Sequence, residues 1–228
     1  MAHKIRTWGR DIWDKKQEEQ GSLGVIAGTV ETKNIFDRQT VAEFKIIERE
    51  IISLLKPKAK VVDAGVGPFA RFSVEFAKRG FSVTGIDVSP KVLYTAGKRV
   101  KNSGYKVNLL EEDMTKIRNV DKGQDLVFCF GTFGHIPSFL ALKVLGEFNK
   151  ILKKGGYAYI HFWIKSDSTK RILHDFVYDL GHHIKATFGR GYKVNSSFYS
   201  KEEIAEMAKL SGFEIVKVIE DKYLFRKV

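Results

Sequence analysis

Cysteine is almost absent from this chain: one residue, Cys129, among 228. A lone thiol cannot build an internal disulfide framework and suits a reducing compartment. It stands in an apolar run, Leu126 to Phe130, so it reads as a core thiol and not as a nucleophile. Proline is scarce too, with four residues, while hydrophobic residues make up 43%. That balance describes a globular chain and excludes a disordered one. No apolar run approaches the roughly 20 residues needed to cross a bilayer. Met1 to Arg6 carry charge with no apolar stretch behind them, so no secretory signal is read and a cytoplasmic location is expected. Internal repeats and low-complexity tracts are missing as well. His182, His183 and His174 lack a Cys or acid at a recognised ligand spacing, and no metal site is expected.

Positive charge, by contrast, is in excess. The formal net charge is +12, which suits either a nucleic acid or anionic partner, or a well-solvated surface. The lysines are spread along the whole chain and form no basic 5–8-mer, which favours the solvated surface. The length fits one domain with embellishments.

Alternating strands and helices follow one another from about Leu54. The densest signal is Val61-Val62-Asp63-Ala64-Gly65-Val66-Gly67-Pro68-Phe69-Ala70-Arg71. Two β-branched residues lead to an acid, then to glycines two apart, then to an apolar-periodic run. This reads as a buried strand, a tight turn and a helix beginning at Pro68, whose φ is preset for a first helical position. Glycine lets a ligand approach the bare backbone. The acid before the turn would repel a pyrophosphate and attract a cation, which points to a sulfonium or ammonium ligand.

A second strand, Phe81 to Ile86, ends in Asp87, and Ser89-Pro90 caps the next helix. A third, Tyr105 to Leu110, runs into Glu111-Glu112-Asp113-Met114. The fourth, Leu126 to Phe130, leads to Gly131-Thr132-Phe133-Gly134-His135. A helix is expected to close at Lys153 to Gly156, before a fifth strand from Tyr157 to Trp163. Ahead of this core, Ile5, Trp8 and Ile12, with Trp13 beside them, predict a short amphipathic helix. Gly21 to Gly28 predict a loop. Val41, Phe44, Ile47, Ile51 and Leu55 trace one face of a longer helix stopped by Pro57. Lys165 to Asn195 break the alternation. Ser200 to Glu203 form a capping box, and Phe213 to Glu220 with Tyr223 to Arg226 read as a closing hairpin.

In this order and spacing the residues from Leu54 to Val228 resemble the class I S-adenosylmethionine-dependent methyltransferases, of the small stand-alone kind related to the ubiquinone-biosynthesis and glycine-methylating enzymes. The resemblance implies an α/β, Rossmann-like, seven-stranded and mostly parallel sheet with a terminal antiparallel hairpin and helices on both faces. Residues 1–56 would then be an N-terminal helical cap and lead-in helix, and 57–228 the methyltransferase domain, with 165–195 inserted as a lid. Many family members carry a third glycine where Phe69 stands.

S-adenosylmethionine is the cofactor this implies. Asp63, Gly65 and Gly67 would line its amino-acid end. Asp87 would accept from the two ribose hydroxyls. Asp113 would accept from the adenine amino group, with Met114 packed on the ring. Phe130 and Gly131 would sit near the methionine portion. All stand at carboxyl ends of strands, where open α/β sheets bind ligands. His135 is the candidate catalytic group, with a titration range suited to a base or an orienting donor. Trp8, Trp13, His161 and Tyr199 are candidates for the acceptor side.

A small-molecule acceptor methylated on N, O or S leads, with RNA second and protein third. For RNA, the basic insertion offers Lys165, Lys170, Arg171, Lys185, Arg190 and Lys193 interleaved with Phe188 and Tyr192. Amino-methylating DNA enzymes need an Asn/Asp-Pro-Pro-aromatic motif, which Phe130 to Phe133 do not supply. Cytosine C5 chemistry needs a cleft cysteine, commonly preceded by proline, and Cys129 follows Phe128 inside a strand. An NAD-dependent oxidoreductase is the rival class, because Gly65 to Ala70 also satisfy G-x-G-x-x-G/A and Asp87 falls near the ribose position.

Overall fold

The computed structural model describes residues 9–23, 30–165 and 197–228. Helices α1 (Arg10–Leu23) and α2 (Val30–Glu50) precede β1 (Lys60–Ala64), α3 (Arg71–Lys78), β2 (Ser82–Asp87) and α4 (Pro90–Ser103). Then come β3 (Asn108–Glu111), β4 (Gln124–Cys129), α5 (Ser138–Ile151) and β5 (Leu152–His161). The described chain closes with α6 (Lys201–Leu210), β6 (Phe213–Ile219) and β7 (Lys222–Lys227). The sheet has seven strands in the order β3-β2-β1-β4-β5-β7-β6. The first five pair in parallel, and β7 pairs antiparallel with both β5 and β6.

Alternation along the strands sorts side chains into two cores. Val62, Val127, Cys129 and Ile160 face one side with α5 and α6, and Val61, Phe128, Tyr159 and Leu224 face the other with α2 and α3. Burial pushes the Cys129 thiol well above its ordinary value, as a core thiol requires. Ser89 caps α4 by accepting from the Val92 amide at 3.1 Å, with Pro90 at the first helical position. Ser200 and Glu203 complete the expected capping box.

Several boundaries differ from expectation, each for a local reason. Helix α1 continues through Gly21 to Leu23, where a loop was expected, and Ile5 and Trp8 lie outside the described residues. Helix α2 ends at Glu50 and gives way to a 3₁₀ turn, Ile52–Leu54, before Pro57 is reached. Its buried stripe is Thr40, Glu43, Phe44 and Ile47, continued by Ile51 just past its end, a 3.6-residue rhythm that leaves Val41 59% exposed. Glu43 is tolerated there because the Tyr159 hydroxyl donates to it at 2.8 Å and the Lys222 ammonium lies 3.7 Å away.

Helix α3 starts at Arg71, three residues later than Pro68. Gly65, Gly67 and Ala70 all take positive φ, at +80°, +62° and +43°, and a helix cannot start among such residues. Strand β3 starts at Asn108, not Tyr105. Strand β5 starts at Leu152, so Lys153 to Gly156 lie within it instead of closing a helix. The parallel register shows why: Gln124 pairs with Leu152 and Leu126 with Tyr157, so the Lys-Lys-Gly-Gly run bulges between the two pairings.

Candidate functional site

The glycine turn after β1 is held against β2, because the amides of Gly65 and Val66 both donate to the Ile86 carbonyl, at 2.9 and 3.0 Å. A Cβ on Gly65 would lie 2.3 Å from the Thr132 side chain, which approaches from the loop after β4. The turn is thus pressed between two strand ends and needs glycine for both space and dihedral.

Asp63 stands at the end of β1 with 3% of its surface exposed. The Ser73 hydroxyl, on the first turn of α3, donates to it at 2.6 Å. Burial nevertheless pushes the carboxyl up to about 6, outweighing that bond. Asp87 ends β2 and accepts from the Gly67 amide at 3.3 Å and the Ser89 amide at 3.1 Å. Burial pushes it, too, up to about 6, and Asp14 adds like-charge repulsion. One buried and one part-buried carboxylate therefore stand at adjacent strand tips, and among the described residues no cation bonds to either.

Both line a single cavity of about 330 Å³, whose wall includes Gly65, Val66, Gly67, Val88, Met114, Phe130, Gly131, Thr132 and His135. The size lies within the range of small-ligand pockets, roughly 300–1,000 Å³. The structure thus gathers Asp63, Gly65, Gly67, Asp87, Met114, Phe130, Gly131 and His135 from the ends of the first four strands. Asp113 does not line the cavity. Its Oδ1 accepts from the Thr115 amide and hydroxyl, both at 2.8 Å, which makes it a turn-capping residue beside Met114.

His135 closes the 3₁₀ turn Phe133–His135 and stands edge-on between two indoles, with ring centroids 5.1 Å from Trp13 and 4.7 Å from Trp163. Gly134 permits this, since a Cβ there would meet the Trp163 ring at 2.3 Å. Trp13 therefore belongs to the cavity wall, while Trp8 lies outside the described residues. His161 and Tyr199 do not face the cavity, contrary to expectation. His161 shares the Tyr159 face of β5, stacks on the back of Phe130 at 4.7 Å and reaches the Asp221 carboxylate at 3.0 Å. Tyr199 is 3% exposed, packed on Phe133 and Phe162, and burial pushes its hydroxyl up to about 12.

Helix α1 roofs the cavity. The Ser89 hydroxyl and the Lys91 amide donate to Asp14, Gln17 donates to Thr95, and Lys91 pairs with Glu18, all across α4. Arg10 pairs with Glu111 at the end of β3. This docking brings Lys16 and Trp13 to the cavity, and Arg71 lines it from the start of α3. Sequence reasoning missed Lys16, Arg71 and Thr132. Arg71 could have been found from its place directly after the glycine turn, but nothing local marks Lys16. Of the basic insertion, only Lys165 is described, and it pairs with Glu203. Among the described residues no group of three or more His, Cys, Asp or Glu could hold a metal ion.

Residues 61–156 match a family model described as a methyltransferase domain. A ubiquinone biosynthesis O-methyltransferase of Nitrosomonas europaea is 28% identical over 166 residues, 72% of this chain and 66% of that protein. One of Bordetella bronchiseptica is 27% identical over 158 residues, covering 68% and 62%. The chain thus spans just under two thirds of the length of these relatives. Among solved structures, magnesium protoporphyrin IX methyltransferase from Synechocystis, crystallised with S-adenosylhomocysteine, superposes with a TM-score of 0.68 at 17% identity, covering 96% of this chain and 97% of that one. At that identity the likeness speaks for the fold.

Proposed function

We propose that the chain is a class I S-adenosylmethionine-dependent methyltransferase, a reading that its matched domain and its fold support, and that it moves the cofactor's methyl group to a nucleophilic N, O or S atom of a small molecule by in-line displacement. One observation carries the reading: Asp63, buried, and Asp87, part-buried, face one cavity across the Gly65–Gly67 turn. A buried carboxylate without a cation is costly, and a ligand bearing an ammonium, a sulfonium and a diol offsets that cost.

In this assignment Asp63, Gly65 and Gly67 hold the amino-acid end and Asp87 accepts from the ribose hydroxyls. Met114 and Val88 pack on the adenine, and Phe130 and Gly131 flank the methionine portion. Asp113 shapes the Met114 turn instead of touching adenine through its bonded Oδ1. When bound, the cofactor supplies an activated methyl group on a sulfonium, so the protein's task is alignment and exclusion of water. His135 is the catalytic residue of the proposal, positioned by its two indoles to accept a proton from the acceptor or to orient it. We divide the chain into an N-terminal cap and lead-in helix, 1–56, with α1 in the cap and α2 as the lead-in helix, and a catalytic domain, 57–228, with a lid insertion at 165–195. A cytosolic location belongs to the same reading. It is supported by the absence, among the described residues, of any helix long and apolar enough to cross a membrane.

Calorimetric titration tests the assignment. S-adenosylhomocysteine should bind saturably to the unaltered protein and NAD should give no heat. Heat from NAD alone would overturn the reading in favour of the dinucleotide class.

A further inference from the structure

Resting on that cofactor assignment, the arrangement of charge around the cavity says something about the acceptor. Two acids and two flexible cations line it: Asp63 and Asp87, Arg71 and Lys16. The cofactor brings one carboxylate of its own, on its methionine end. Arg71 is placed for that group, because it opens α3 directly after the glycine turn and its guanidinium lies over the Phe72 and Phe130 rings, at 4.9 and 6.0 Å. Lys16 comes from another side, on α1. Its ammonium lies 4.7 Å from the centre of the Trp13 ring, and Trp13 is one of the two indoles that meet His135. Among the described residues no carboxylate pairs with Lys16, and burial alone pulls its ammonium below its ordinary value. A half-buried cation over an indole is only partly compensated.

We infer that Lys16, Trp13 and His135 form the acceptor subsite, with Trp163 outside the cavity wall and holding His135 by its edge, and that it selects a planar acceptor carrying an anionic group, which Lys16 pairs. The rings supply flat apolar contact, with the indole edges and faces setting the plane of the acceptor. Lys16 supplies the sign of charge that separates an anionic acceptor from its neutral isostere. The acids at the strand tips disfavour the same anion at the cofactor end, so the cavity is polar in a directional sense.

The test uses the protein saturated with S-adenosylhomocysteine and two fluorescent planar probes, 6-hydroxy-2-naphthoate and its neutral amide. The naphthoate should bind about tenfold more tightly than the amide, the ratio that one partly buried ion pair gives. Lys16→Met should erase the preference and Lys16→Arg should keep it. In both variants S-adenosylhomocysteine should bind as it does to the unaltered protein. Equal affinity for the two probes, or no naphthoate binding, overturns the inference. So does Lys16→Met if it weakens S-adenosylhomocysteine as much as naphthoate, which would give Lys16 to the cofactor's carboxylate. A failure of the cofactor assignment is seen separately, as absence of S-adenosylhomocysteine binding to the unaltered protein before any probe is added.

Discussion

Replacing Asp87 by Asn separates a residue kept for binding from one kept for folding. Desolvation pushes this part-buried carboxyl up to about 6, against an ordinary 3.8 for the unfolded chain. A carboxylate whose folded value is raised binds its proton more tightly when folded, so folding is penalised once pH exceeds both values. At pH 7.5 the penalty is about 3 kcal/mol at 1.36 kcal/mol per pH unit. Asn removes the charge and keeps one oxygen for the amides of Gly67 and Ser89, giving up roughly 1 kcal/mol of hydrogen bonding. The apo variant should therefore be more stable by about 1–2 kcal/mol, a melting temperature a few degrees higher at this chain length. Cofactor binding should move the other way. Two charge-assisted bonds to a diol are each worth about 1.5–3 kcal/mol, and an amide retains one weaker acceptor. S-adenosylhomocysteine should bind at least about 30-fold more weakly by calorimetry. A lower melting temperature together with unchanged affinity would refute the reasoning and leave Asp87 as a staple of the turn.

The same two carboxyls make cofactor binding pH-dependent. Both lie at about 6 in the empty site, so affinity for S-adenosylmethionine should be flat above about pH 7 and fall progressively below 6 as they protonate; a flat Kd from pH 7 to 5 would contradict it. Gly65→Ala should abolish cofactor binding and destabilise the fold by about 1–3 kcal/mol, from positive φ and the collision with Thr132, as read by thermal melts and titration. His135→Ala should lower kcat by about 100-fold or more with S-adenosylhomocysteine affinity within threefold; unchanged turnover would remove it from the mechanism.

Where the chemistry is local, the amino-acid order was enough. The β1 turn, the acids at the tips of β1 and β2, the Ser89-Pro90 cap and the closing hairpin each depend on residues a few positions apart. Their dihedral and hydrogen-bond requirements leave few alternatives. His161 and Tyr199 were misplaced because their facing is set by the sheet. His161 follows the alternation of β5 to the Tyr159 side, and Tyr199 is drawn into the core around Phe133 and Phe162. Val41 failed for a related reason, since polar Thr40 and Glu43 hold the buried stripe that an apolar residue was expected to take.

Residue order alone therefore determined the nest of backbone and carboxylates that a sulfonium nucleoside would fill, because short-range sterics and burial dictate it. Only the tertiary structure decided how that nest is roofed. Asp14 seated at Ser89 and Lys91 on α4, Arg10 paired with Glu111, and Lys16 and Trp13 brought beside His135 all join residues more than 70 positions apart. Such contacts depend on where two packed elements end up in space, and no spacing along the chain encodes that position.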